Sequence, residues 1–188
     1  MSRLLTAGCS FTFYKWKTWA DFLGKHYDVF VNKGIPGADN ATIARIVTAI
    51  AEPGDTVAVM WTSYQRHNYT ITSTDMYNYS TAHCGLQHLK NDKYYFKNVF
   101  NQYERFLTTL DYIQWVIADS VMRKYTVHHF CAFPILNGEI DSPVTENMKL
   151  LINEKQFIID NITQPSLSEF TGNDFKERDD NHPVSESH

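Results

Sequence analysis

Apolar residues recur along the first two thirds of the chain in short runs, at Leu4 to Ala7, Val29 to Val31, Thr56 to Trp61 and Thr126 to Phe133. Runs this short and this rich in β-branched or aromatic residues predict buried strands. Between them the spacing becomes helical. Trp19, Phe22 and Leu23 mark the buried side of a first helix that Gly24 helps to end. Ile43, Ile46, Val47 and Ile50 mark a second, closed at Glu52-Pro53-Gly54-Asp55. From about 96 to 124, Phe100, Tyr103, Phe106, Leu107, Leu110, Ile113, Ile117 and Val121 trace a longer helix whose apolar stripe faces the core. Strands alternating with helices imply an α/β protein whose mainly parallel sheet is covered on both faces.

The remainder is less periodic. Residues 67 to about 95 are crowded with Tyr, Thr, Ser and Asn and read as an insertion within a single domain spanning 1–188. A helix is expected from Val144 to Leu151, followed by a short apolar run at Phe157 to Ile159. The stretch from Phe170 to His188 is polar, which taken alone suggests a disordered tail.

Composition narrows the function. With a net charge of −4 and no long Lys/Arg cluster, the chain lacks the electrostatic footprint of a nucleic-acid binder. Cys9, Cys84 and Cys131 show no CxxC spacing, so free thiols are expected rather than a disulfide framework or a zinc site. No apolar stretch has the length of a membrane span, and Met-Ser-Arg-Leu-Leu runs directly into a strand pattern without a signal-peptide core. The expected location is the cytoplasm, or a virion assembled there.

The segment Gly8-Cys9-Ser10-Phe11-Thr12 follows the first strand, so a serine sits where a strand would turn into a helix. Two readings fit. Ser10 is a helix N-cap, or it is a nucleophile backed by the free N–H groups of a helix N-terminus. A serine nucleophile needs a base and a carboxylate to orient that base. Asp179-Asp180-Asn181-His182-Pro183 supplies both, with Asp179 as orienter and His182 as base, provided that this segment folds back beside Ser10.

Gly-x-Ser-x-Thr near the beginning, with Asp-x-x-His-Pro near the end, resembles the SGNH (GDSL-like) hydrolase family. The resemblance implies a flavodoxin-like three-layer α/β/α sandwich. It also implies serine ester hydrolysis by a Ser10, His182, Asp179 triad, with no metal or organic cofactor. The family's second block resembles Asn32-Lys33-Gly34-Ile35-Pro36-Gly37-Ala38-Asp39-Asn40, and Gly37 matches its oxyanion glycine. The same residues also read as a Pro-Gly turn leading into a helix capped by Asp39 or Asn40.

The chain departs from the family at two places. Trp61-Thr62-Ser63-Tyr64-Gln65-Arg66 falls where the third block carries Gly-x-Asn-Asp, and it contains neither Asn nor Asp. Ser63 stands about where the Asn would be, and Arg66 offers a charge-assisted donor; ordinary surface chemistry after a strand explains both equally well. Cys9 replaces the Asp that precedes the serine. As neighbours leaving a strand, Cys9 and Ser10 point oppositely and do not share one histidine, so Cys9 is read as a packed thiol.

His128 and His129 point to opposite sides of the fourth strand, which argues against a paired metal site and for structural roles. Tyr64, Tyr69, Tyr77, Tyr79, Tyr94 and Tyr95 form either an aromatic platform for a sugar or acyl group, or a packing or subunit contact. The leading expectation is therefore a hydrolase of small soluble esters such as O-acetylated carbohydrates, with neither nucleic acid nor membrane as partner and with oligomerisation open. The alternative is a catalytically inactive structural or glycan-binding module of the same fold, as in a viral particle. A phosphate- or nucleotide-binding domain is a distant third, since no GxGxxG or GxxxxGKS loop is present.

Overall fold

The computed structural model describes residues 1–72, 77–82, 97–98, 100–133 and 145–162. Its elements are β1 (Arg3–Ala7), α1 (Trp19–Gly24), β2 (Val29–Asn32), α2 (Asn40–Ile50), β3 (Thr56–Trp61), β4 (His67–Thr72), β5 (Tyr77–Ala82), α3 (Gln102–Arg123), β6 (Thr126–Cys131), α4 (Glu146–Glu154) and α5 (Gln156–Asp160). Four of the strands form one sheet in the order β2-β1-β3-β6, all parallel. β4 and β5 pair antiparallel in a separate two-stranded sheet inside the region read as an insertion.

Strand alternation divides the core in two. Leu5 and Ala7 of β1, Val57, Val59 and Trp61 of β3 and Cys131 of β6 share one face, in register across the sheet. They pack with Ile43 and Val47 of α2, Phe106, Leu110, Ile113 and Val116 of α3, and Ile158 of α5. Met60 and Phe130 point the other way, into a smaller cluster with Cys9, Phe11, Ala132 and Trp19 of α1. The path from β1 to β2 runs one way along the sheet and the path from β2 to β3 crosses back. Right-handed crossovers therefore place α1 on one face and α2 and α3 on the other. The result is a flavodoxin-like three-layer α/β/α sandwich.

Local signals account for the helix ends. Asp39 caps α2 by accepting from Thr42 N–H at 2.9 Å, and Asn101 caps α3 by accepting from Glu104 N–H at 3.1 Å. Of the two cap candidates at α2, Asp39 takes the role and Asn40 is the first helical residue. Lys124 ends α3 in the left-handed conformation, φ 61°.

Several boundaries differ from the expectation. The long helix starts at Gln102, and Val121, assigned to its buried stripe, is 74% exposed, while Val116 and Thr109 occupy the buried face. A helix 22 residues long drifts relative to any fixed sequence repeat, so a stripe extrapolated from its beginning leaves the core by its end. The helix expected from Val144 to Leu151 covers Glu146–Glu154, and the apolar run at 157–159 lies within the short helix α5. Among the described residues no helix is long and apolar enough to cross a membrane. Cys9 and Cys131 are buried and neither is in a disulfide, and Cys84 lies outside the described residues.

Candidate active site

In a parallel sheet of this order, the carboxyl ends of β1 and β3 border the crevice where successive connections leave in opposite directions, the usual ligand position in open α/β sheets. Ser10 follows the carboxyl end of β1 there and is 7% exposed. The expectation that a helix begins directly behind it is corrected. Thr12 N–H and Phe13 N–H both donate to the Cys9 carbonyl, at 2.9 and 3.2 Å, closing a single turn, and α1 starts only at Trp19. Thr18, not Ser10, is its N-cap, with Thr18 N–H donating to Asp21 Oδ2 at 2.8 Å. Ser10 therefore sits on an isolated turn whose shape is set by contacts from elsewhere in the chain.

Three such contacts hold the turn. The Thr12 carbonyl accepts from Asn32 Nδ2 at 2.9 Å and from Thr18 Oγ1 at 2.7 Å. Asn32 Oδ1 accepts from Gly34 N–H at 3.0 Å, and Ile35 N–H donates to the Gly8 carbonyl at 2.9 Å. The packing leaves no room for side chains. A Cβ on Gly34 would lie 2.7 Å from Phe13 Cβ and 2.8 Å from Phe13 N, and one on Gly8 would lie 2.1 Å from Thr12 Oγ1 and 3.0 Å from the Met60 carbonyl. The chain after β2 is thus docked on the serine turn.

Gly37, the expected oxyanion glycine, adopts φ 83° in the turn where Ala38 N–H donates to the Ile35 carbonyl at 3.0 Å. Its carbonyl accepts from Asn68 Nδ2 at 3.3 Å, and the neighbouring Ala38 carbonyl accepts from Arg66 Nη1 at 3.2 Å. Ser63 lies in a turn after β3, where its Oγ accepts from Gln65 N–H at 3.2 Å and its carbonyl from Arg66 N–H at 3.1 Å. The structure therefore brings together the Ser10 turn and Asn32 to Ile35, and separately joins Gly37 to Asp39 with Arg66 to Asn68. Asp179 and His182 lie outside the described residues, as do Tyr94 and Tyr95.

Asn40, read from the sequence only as a cap candidate, ties these segments together. It is fully buried, its Oδ1 accepts from Thr62 N–H at 2.9 Å, and its Nδ2 donates to the Thr62 carbonyl at 3.1 Å and to Thr109 Oγ1 at 3.3 Å. One amide thus satisfies both backbone groups of the residue following β3 and reaches α3. Asn32 does comparable work on the other side. The only sequence signal for either was an Asn beside a strand end or helix start, which local capping explains as readily.

His129 is buried on the α3 side of the sheet and pairs with Trp61. The indole Nε1–H donates to His129 Nδ1 at 3.0 Å, and the rings stack with centroids 5.9 Å apart. Burial, with His128 adding repulsion, lowers its pKa to about 4. The ring is thus neutral with its proton on Nε2, in keeping with the structural role expected for it. Near Arg66, burial and the Arg105 guanidinium lower the pKa of His67, while the Asp39 and Glu104 carboxylates oppose the shift.

No protein-family model matches the chain, and no curated protein matches it in sequence. Among solved structures, it is similar to the crystal structure of a "putative acylhydrolase" from Bacteroides fragilis. The identity is 14%, the match covers 99% of this chain and 80% of that one, and the TM-score is 0.46.

Proposed function

We propose that the chain is a serine ester hydrolase of the SGNH type. The observation that carries this reading is the placement of Ser10 on a tight turn at the carboxyl end of β1, beside the β1/β3 crevice, with the chain after β2 hydrogen-bonded onto that turn. In this mechanism Ser10 Oγ attacks the ester carbonyl while His182, oriented by Asp179, takes the serine proton and passes it to the departing alcohol. The oxyanion is held by the N–H groups of Ser10 and Gly37, assisted by Ser63 or Arg66. Water then attacks the acyl-enzyme, giving its proton to His182, and the carboxylic acid leaves as Ser10 is restored. Small soluble esters, O-acetylated carbohydrates foremost, are the proposed substrates.

One observation favours the second reading, a non-catalytic glycan-binding module. Ser63 Oγ and the Arg66 guanidinium, which stand in the block where the resemblance would place an Asn, both serve backbone groups in their own neighbourhood. Labelling with a serine-reactive fluorophosphonate, read by mass spectrometry, separates the two. The hydrolase is labelled at Ser10, and the label is lost in Ser10→Ala and strongly reduced in His182→Ala. A folded native protein that takes no label and releases no acetate from acetylated sugars refutes the hydrolase.

A further inference from the structure

Arg105 lies in the first turn of α3 and is 5% exposed. Its guanidinium makes one long hydrogen bond, from Nη2 to the Arg66 carbonyl at 3.5 Å, and Nε has no partner among the described residues. None of the ion pairs of the described residues includes it. A guanidinium is charged at every accessible pH, and burying one without a carboxylate is strongly destabilising. An apolar side chain of similar volume would fill the place more favourably.

No carboxylate of the described residues is hydrogen-bonded or ion-paired to it. Asp39 is committed to α2, its Oδ1 accepting from Thr42 N–H and its Oδ2 from Asn68 N–H at 3.0 Å. Glu104 and Asp39 act on His67 at a distance, as Arg105 itself does. Arg66 adds a second guanidinium to the same segment, next to Gly37. The N-termini of α2 and α3 both open at this end of the sheet, joined by the contact of Asn40 with Thr109, and their dipoles favour negative charge.

We propose that Arg105, with Arg66 and the start of α3, forms a binding site for a small oxyanion, a carboxylate or phosphate. The planar fork of Arg105 suits such a group. Assigning that group to the substrate, so that the preferred esters are anionic, rests on the hydrolase reading; the anion site itself does not.

The test uses the wild-type chain, with succinate and inorganic phosphate as probes. Saturable binding is expected by calorimetry, together with a shift of the Arg105 Nε–H resonance, assigned by its absence from the spectrum of Arg105→Lys. Arg105→Gln should weaken binding roughly 10- to 100-fold, the loss expected for one charge-assisted hydrogen bond. Arg105→Lys should restore only part of it. If Arg105→Gln fails to fold, the resonance shift in the wild-type protein decides alone. Neither probe binding, or binding without any change at Arg105 Nε–H, overturns the proposal.

Hydrolysis of nitrophenyl hemisuccinate against nitrophenyl acetate identifies the source of the anion. A preference for the hemisuccinate in kcat/KM that falls about 10-fold or more in Arg105→Lys supports a substrate carboxylate. Equal rates with saturable phosphate binding support a free anion at the same site. If neither ester is hydrolysed, the hydrolase reading fails while the binding result stands.

Discussion

Asn40 and Thr62 form a reciprocal pair, with Asn40 Oδ1 accepting from Thr62 N–H at 2.9 Å and Asn40 Nδ2 donating to the Thr62 carbonyl at 3.1 Å. The pair substitutes for the sheet partner that Thr62 loses on leaving β3, and it fixes the start of α2 against the chain that carries Ser63 and Arg66.

Because Thr62 is fully buried, removing this partner strands a backbone donor and acceptor. Asn40→Ala is expected to destabilise the fold by about 3 kcal/mol, at the usual cost of unsatisfied buried groups. A lower urea midpoint with an unchanged m-value is the expected result. A change under about 0.5 kcal/mol would mean that the pair is dispensable.

Gly8 should tolerate no side chain, since a Cβ there meets both Thr12 and the Met60 carbonyl. Gly8→Ala is expected to cost about 2 kcal/mol or more by overpacking and to distort the turn bearing Ser10. Fluorophosphonate labelling of the folded fraction should therefore fall along with stability. Retention of full labelling with an unchanged melting temperature would contradict the packing described for this turn.

His129 makes the stability depend on pH in a defined window. The unfolded chain takes up this proton near the ordinary value of 6.5, whereas the folded ring takes it up only at about 4. Between those values the unfolded state binds more protons, so stability rises with pH and is lost as pH falls from 6.5 towards 4. The contribution amounts to about 3 kcal/mol across the window. His129→Asn keeps an acceptor for Trp61 Nε1–H and removes the titration. Chemical denaturation of both proteins at pH 7 and pH 4.5 should show a smaller acid loss in the variant; parallel pH profiles would sink this account.

The sequence by itself determined the four strands of the parallel sheet and the layering, though not the β4/β5 pair within the insertion. Leu4 to Ala7 and Thr56 to Trp61 are continuous apolar runs that only a sheet covered on both faces can bury, and the helical spacing between them supplies the covers. Gly8 and Ser10 were legible as a turn after the first strand because glycine and serine act locally. The tertiary structure decided what that turn leads into. Its shape depends on Asn32, 20 residues away along the chain, so the helix expected behind Ser10 is delayed to Trp19. The same reason hid the contacts of Asn40, Arg105 and His129, whose partners Thr62, Arg66 and Trp61 stand 22, 39 and 68 residues away. Periodicity and capping are properties of neighbouring residues, whereas a buried polar group takes its meaning from whatever the fold places against it.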